Sequence, residues 1–312
     1  MPLGLGTSHS ARTALHPGLP RRRPGSLAAH EARTGLLLAL PAILFFSVFM
    51  AYPFLNAFWV SLTSWDLISP PRFIGLRNYV RLFSDPAFLS SAKVTAYYTL
   101  GLLVPMLPAS LGLAVLLDRK LRGRGIYQGV LFAPVVLSMV AVTMIWRVVY
   151  MPQGGLYQLF TAPFGVTNIP WLNDADLAMP ALIIVGVWKN VGYYMVLFLA
   201  GLQSISPVLY EAAKVDGANG WQQFRRITLP LLRPVLLFVA VVSMIKAFQA
   251  FSSAYTLTGG GPADATKVLP ILVYQNAFAF NKMGYASAMA VVMFLVLLVL
   301  TIIQFAVLRP EE

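Results

Sequence analysis

Tyr210–Pro234, YEAAKVDGANGWQQFRRITLPLLRP, is the most polar long run between two apolar ones in this chain. Its flanks, Met179–Leu202 and Pro234–Tyr255, each reach the roughly 20 residues that a helix needs to cross a bilayer's hydrocarbon core. An acidic helix start, a glycine, two adjacent arginines and two prolines are thus enclosed by segments suited to lipid. That contrast sets the fold class, and working outward finds it repeated along the chain.

The 312 residues are 58% hydrophobic and only 11% charged, with a mean hydropathy of +0.72, whereas soluble domains carry about a quarter charged residues. Six stretches are long and apolar enough to span: Leu36–Leu62, Val94–Leu117, Ile126–Val149, Met179–Leu202, Pro234–Tyr255 and Tyr285–Leu308. The expected fold is all-α, a polytopic membrane bundle of six transmembrane helices at 35–312 with a polar loop at 203–233. The leader, 1–34, is rich in Pro, Gly, Ser and Arg, so disorder is expected there. Its RRRPGSLAAHEARTGLLLAL run has a signal peptide's charged start, but the apolar stretch runs past a normal length without a clear cleavage site, so a retained first span is expected.

Lys and Arg set the orientation. They cluster in the leader (Arg12, Arg21, Arg22, Arg23, Arg33), in DRKLRGRG (Arg119, Lys120, Arg122, Arg124), in the polar loop (Lys214, Arg225, Arg226, Arg233) and at Arg309. Met151–Ala178 holds none, and Gly259–Gly284 holds Lys267 and Lys282. Asp66–Lys93 runs against the trend with Arg72, Arg77, Arg81 and Lys93, yet the summed bias places both termini in the cytoplasm. The net charge of +12 follows this topology rather than a nucleic-acid footprint.

Several chemistries lack material. The chain has no cysteine, and its three histidines, His9, His16 and His30, precede the first span. The six spans contain no Asp or Glu, which argues against a self-powered secondary transporter and against a membrane-embedded enzyme. No Walker A motif is present, so hydrolysis of ATP by that route is excluded, and Gly259–Pro262 reads as a tight turn. No catalytic or metal-ligating set is expected.

The polar loop predicts a short helix over Tyr210–Val215, a stop at Asp216-Gly217, a second helix over Trp221–Ile227 ended by Pro230, and Pro234 in the first turn of the fifth span. Two roles fit these residues: an interfacial elbow anchored by Trp221, Arg225 and Arg226, or a docking knob in which small Ala212 and Ala213 permit close approach and Glu211 offers a charged partner. Within the spans, Asn190, Tyr193, Tyr194, Ser243, Lys246 and Gln249 are the candidate substrate-path residues, because polar groups at depth must face protein or water, and sugars take aromatic faces with hydrogen bonds. Arg147 and Lys189 lie where they can snorkel, which is the expectation for both. Phe73, Tyr79, Phe83 and Phe88 read as interfacial anchors.

EAAKVDGANGWQQFRRITLPLLRP resembles the EAA loop of the integral-membrane subunits of binding-protein-dependent ABC importers, a pattern of E-A-A, three positions, G and then I-x-L-P. Glu211, Ala212, Ala213, Asp216, Gly217, Ala218, Phe224, Ile227, Leu229, Pro230 and Pro234 match it. FIGLRNYVRLFSDPAF (Phe73–Phe88), WLNDADLAMPALIIVGVW (Trp171–Trp188) and YTLTGGGP (Tyr255–Pro262) resemble the sugar-uptake branch, as in maltose and glycerol-3-phosphate systems, although Ser252 stands where members often carry an acid. The resemblance covers about Pro41–Leu308. It implies a multi-pass permease of a bacterial or archaeal inner membrane, with a cytoplasmic coupling helix around Glu211–Gly220 seated in an ATPase subunit. The implied partners are a second homologous permease, two ATPase subunits that bind the ATP and Mg²⁺, an extracytoplasmic sugar-binding protein, membrane lipid and a sugar. Glycerol-3-phosphate or a related phosphodiester is the alternative substrate. It also implies sugar contacts at positions matching Gly186, Asn190, Tyr193, Ser243, Lys246, Ala247 and Ala250.

Overall fold

The computed structural model of the protein describes residues 24–119 and 122–308. Leader residues 1–23, Lys120 and Arg309 therefore lie outside the described residues. The chain divides into two compact units, Met1–Asn56 and Ala57–Glu312.

In the first unit, α1 (Pro24–Phe46) leads through a π-helical turn, Ser47–Ala51, into α2 (Tyr52–Ser61), whose last residues belong to the second unit. The helix α1 covers Pro24–Thr34, the described part of the leader. The sequence reason is the run of helix formers Leu27-Ala28-Ala29 and Glu31-Ala32-Arg33. The π turn precedes Pro53, which has no N–H to donate, and absorbs that missing bond without ending the helix. Residues 31–50 are exposed although almost all of those after Thr34 are apolar.

The second unit opens on a two-residue antiparallel ladder, β1 (Thr63–Ser64) with β2 (Arg72–Phe73), followed by α3 (Arg77–Ser84). Asn78 Nδ2 donates to the Ser61 and Thr63 carbonyls at 2.8 Å each and pins this corner. Asp85 then caps α4 (Pro86–Asp118), its carboxylate accepting from the Ala87 amide. Phe88 is buried with Leu82, Leu269, Leu272, Tyr285 and Met289 in a small core, which corrects its reading as an interfacial anchor; Phe73 and Phe83 are exposed.

The expected third span is two helices. α5 (Arg124–Val136) and α6 (Met139–Val149) meet at 100°. Leu137 and Ser138 are extended, and the Ser138 hydroxyl accepts from the Ala141 amide to start α6. A short α7 (Gln158–Thr161) precedes α8 (Ala175–Gln203), which Asp174 caps. The polar loop forms α9 (Pro207–Val215), α10 (Gly220–Gln223), a π turn at Phe224–Thr228 and α11 (Leu229–Leu231). The expected fifth span is also divided, into α12 (Arg233–Phe248) and α13 (Phe251–Thr258), with Gln249 and Ala250 outside helical geometry. Gly259 closes α13 in the left-handed conformation. Then come α14 (Leu269–Tyr274) and α15 (Met283–Leu308).

Among the described residues, four helices are long and apolar enough to cross a membrane: Glu31–Ser61, Pro86–Asp118, Ala175–Gln203 and Met283–Val307. The number reaches six when the bent pairs Arg124–Val136 with Met139–Val149, and Gly220–Leu231 with Arg233–Phe248, each count as one.

The core runs along α4 and α8, which pack on each other, with α5 and α12 alongside. Tyr98, Leu102, Met106, Leu182, Met195 and Phe198 fill it. At Gly192 a Cβ would stand 2.0 Å from the Leu131 carbonyl oxygen, so glycine alone lets α8 lie against the backbone of α5.

Candidate functional site

Where the break of α12/α13 and the start of α6 face α4 and α8, they line an open cavity of about 160 Å³. Tyr98, Leu102 and Met106 line it from α4, Gly186, Lys189, Asn190 and Tyr194 from α8, and Ser243 and Lys246 from α12. Gln249 and Ala250 at the break, Ser252 and Ser253 of α13, and Met139 of α6 complete it. Five of the six expected path residues thus come together; Tyr193 lies beside the wall, its ring beneath the Lys246 ammonium at 4.2 Å. Discontinuous helices are a recurrent way to expose backbone polar groups to a transported molecule at membrane depth.

Each polar group has a definable state. Lys189 Nζ donates to the carbonyls of Pro134 (3.0 Å), Val135 (3.4 Å) and Leu137 (2.7 Å). These are the C-terminal carbonyls of α5, left without helical partners by the break. The ammonium caps them, so the expectation of snorkelling is corrected: charge-assisted bonds to three backbone carbonyls hold the side chain at the break. Arg147, by contrast, is exposed in the last turn of α6, its Nε donating to the Leu257 carbonyl at 3.1 Å near the end of α13, an arrangement compatible with the expected snorkelling. Asn190 Nδ2 donates to Gly186 O at 2.8 Å, leaving the side-chain oxygen as acceptor. Ser243 Oγ donates to Ala240 O at 3.0 Å. Lys246 lies in the last turn of α12, where the helix dipole favours a cation. Its Nζ is 5.8 Å from the Tyr194 ring as well as close to Tyr193.

Tyr98, Leu102, Met106 and Met139 escaped the sequence reading because an apolar side chain facing a cavity is the same type as one facing lipid. The Ser252-Ser253 pair was the available signal for α13.

The polar loop folds as an elbow. Its first limb, α9, ends in a Schellman motif: Ala218 N–H donates to Ala213 O at 2.8 Å and Gly217 N–H to Lys214 O at 3.1 Å, with Gly217 at φ +77°. Asn219 and Gln222 then form a reciprocal capping box at 2.9 Å in each direction. Tyr210 and Thr228 join the two limbs by a hydroxyl pair at 2.9 Å. The helix does not stop at Pro230 as expected. The π turn at Phe224–Thr228 takes up the missing donor, and the chain bends by 66° only at Leu232, before α12. Pro234 sits in the first turn of α12. Glu211, Ala212, Asp216, Gly217 and Gly220 are exposed, and Ala213 and Ala218 are half-buried. Val215 (88% exposed) and Trp221 (68%) put apolar surface on the same elbow.

Residues 101–310 match the family described as binding-protein-dependent transport system inner membrane component. The chain belongs to that family. The E-A-A pattern at Glu211–Ala213 is typical of its members, which are transport components. It is 36% identical over 273 residues to a probable ABC transporter permease protein, YurN, of Bacillus subtilis, covering 86% of this chain and 93% of that one. It is 34% identical over 284 residues to the trehalose/maltose transport system permease protein MalF of Thermococcus litoralis, covering 91% and 96%. A crystal structure of a bacterial alginate ABC transporter, in complex with an alginate pentasaccharide-bound periplasmic protein, superposes with a TM-score of 0.78 at 25% identity, over 91% of this chain and 97% of that one.

Proposed function

We propose that this inner-membrane component is one permease subunit of an ATP-driven carbohydrate importer, crossing the membrane six times with both termini in the cytoplasm. A second homologous permease completes its translocation path, two ATPase subunits bind the ATP and Mg²⁺, and an extracytoplasmic binding protein delivers the sugar. The names of the similar permeases and of the solved alginate transporter support the carbohydrate class. The cavity of about 160 Å³ is smaller than the roughly 300–1,000 Å³ of complete ligand pockets, which suits a chain that supplies one wall of a shared path.

The observation that carries the reading is the elbow. Two caps and a hydroxyl tie make it a stiff body, joined to α12 by the bend at Leu232, and α12 bears Ser243 and Lys246. With Glu211, Ala212, Ala213, Asp216, Gly217, Ala218 and Gly220 seated in the ATPase, closure of that partner on ATP displaces the elbow. The elbow moves α12, and the path switches from inward- to outward-open to meet the loaded binding protein. Hydrolysis reverses the movement. The chain performs no covalent step.

The test is Glu211→Lys combined with Gly217→Pro in the reconstituted complex. Uptake and the stimulation of ATP hydrolysis by loaded binding protein should both fall by on the order of a hundredfold, since the charged contact and the αL cap are lost together. Unchanged uptake with unchanged stimulation would remove the elbow from the mechanism.

A further inference from the structure

We infer that the transported molecule carries an anionic group, a carboxylate or a phosphate, that pairs with Lys246. The inference rests on the carbohydrate-importer reading and narrows it to acidic or phosphorylated sugars.

Two ammonium groups, Lys189 and Lys246, line the cavity, and no Asp or Glu does. They are in different states. Lys189 is committed to three backbone carbonyls, so it contributes charge and has no donor to spare. Lys246 is held by ring faces, at 4.2 Å from Tyr193 and 5.8 Å from Tyr194. A π face attracts the cation but does not replace a hydrogen-bond acceptor for an ammonium with three N–H groups. Among the described residues the one ion pair is Lys267 with Asp264, and Lys246 is exposed toward the cavity. Of the other donors near it, Asn190 Nδ2 bonds Gly186 O and Ser243 Oγ bonds Ala240 O, so neither is free for a substrate, while the neutral amide of Gln249 also faces the space. The cavity therefore offers an uncompensated positive charge with free N–H groups, next to a second positive charge that cannot move. A neutral sugar would leave Lys246 without a counter-charge beside the Lys189 ammonium, whereas a carboxylate or phosphate satisfies Lys246 and relieves the repulsion.

The experiment uses the complete complex in proteoliposomes with ATP. Its probes are trigalacturonate, the fully methyl-esterified trimer of the same length, maltotriose and glucose 6-phosphate. The inference expects one of the two anionic probes to be taken up faster than both neutral probes by on the order of tenfold or more. Trigalacturonate against glucose 6-phosphate separates carboxylate from phosphate. Lys246→Met should raise KM for the preferred probe by a similar factor, and Lys246→Arg should restore it. If Lys246→Met prevents assembly, the comparison of charged with esterified probe on the unaltered complex still decides. Preference for maltotriose or the ester overturns the inference and leaves the carbohydrate importer standing, with a carboxylate of the second permease then the counter-charge. Uptake of any probe that proceeds equally without ATP sinks the importer reading itself.

Discussion

Lys189 is a cation fixed inside an apolar bundle by carbonyls of another helix. Its three acceptors exist only because α5 ends at Val136. Lys189→Met is therefore expected to destabilise the assembled complex by about 1 kcal/mol, the cost of leaving partly buried carbonyls without a charged donor. Thermal unfolding in detergent measures this, and an unchanged Tm would mean that water serves the break equally well. Asp85 gives the pH dependence outside the spans. Burial alone would raise its carboxyl, but the Tyr285 hydroxyl at 2.6 Å, the Ala87 and Phe88 amides and the Arg81 charge together hold it below the usual value of 3.8. A carboxyl depressed in the folded state contributes stability that is present above pH 3.8 and lost as pH falls through the folded value. In Tyr285→Phe that loss should begin at higher pH, with about 1 kcal/mol gone near neutrality. Melting curves between pH 3 and 7 would show it, and superimposable curves would contradict it. At this scale Asn190, Lys246 and Gln249 were legible because a polar residue in an apolar run has to be explained. Where Lys189 points was not, since its acceptors are 52–55 residues away in the chain.

The helices show a similar division. α8 and α15 lie close to the stretches that hydropathy alone marks, because each is one unbroken and predominantly apolar helix. The divided spans did not stand out, as a broken apolar helix has the composition of a straight one. For α5/α6 the sequence does hold signals, Pro134 and an N-capping Ser138. For α12/α13 the break at Gln249-Ala250 has neither Gly nor Pro, and only tertiary packing around the cavity accounts for it. Pro230 misled for the opposite reason: a π turn upstream accommodates a proline within a continuing helix. The approach of α8 to α5 is tested by Gly192→Ala. Its Cβ would meet the Leu131 carbonyl oxygen at 2.0 Å and the carbonyl carbon at 2.7 Å, so the helices must separate at a cost of about 1–3 kcal/mol. A lowered Tm, with uptake reduced because Asn190 lies on the same turn, is expected; a fully stable variant would show that the interface can shift freely.

For the whole molecule, the sequence bounds mechanism more tightly than architecture. The absence of Asp and Glu from the six apolar stretches argues against a self-powered carrier, and the absence of a Walker A motif excludes ATP hydrolysis by that route. On the proposed reading, the elbow is where an external energy source acts. What composition cannot give is the meeting of the α12/α13 break and the start of α6 around a common cavity, which depends on contacts among α4, α6, α8, α12 and α13. The account's central claim is that movement through this cavity is driven by a separate ATPase acting on the elbow. The most direct measurement is sugar uptake into proteoliposomes holding either the complete complex or both permeases without the ATPases, each with loaded binding protein, with and without ATP. Uptake is predicted only for the complete complex with ATP; accumulation by the permeases alone, or without ATP, would contradict it.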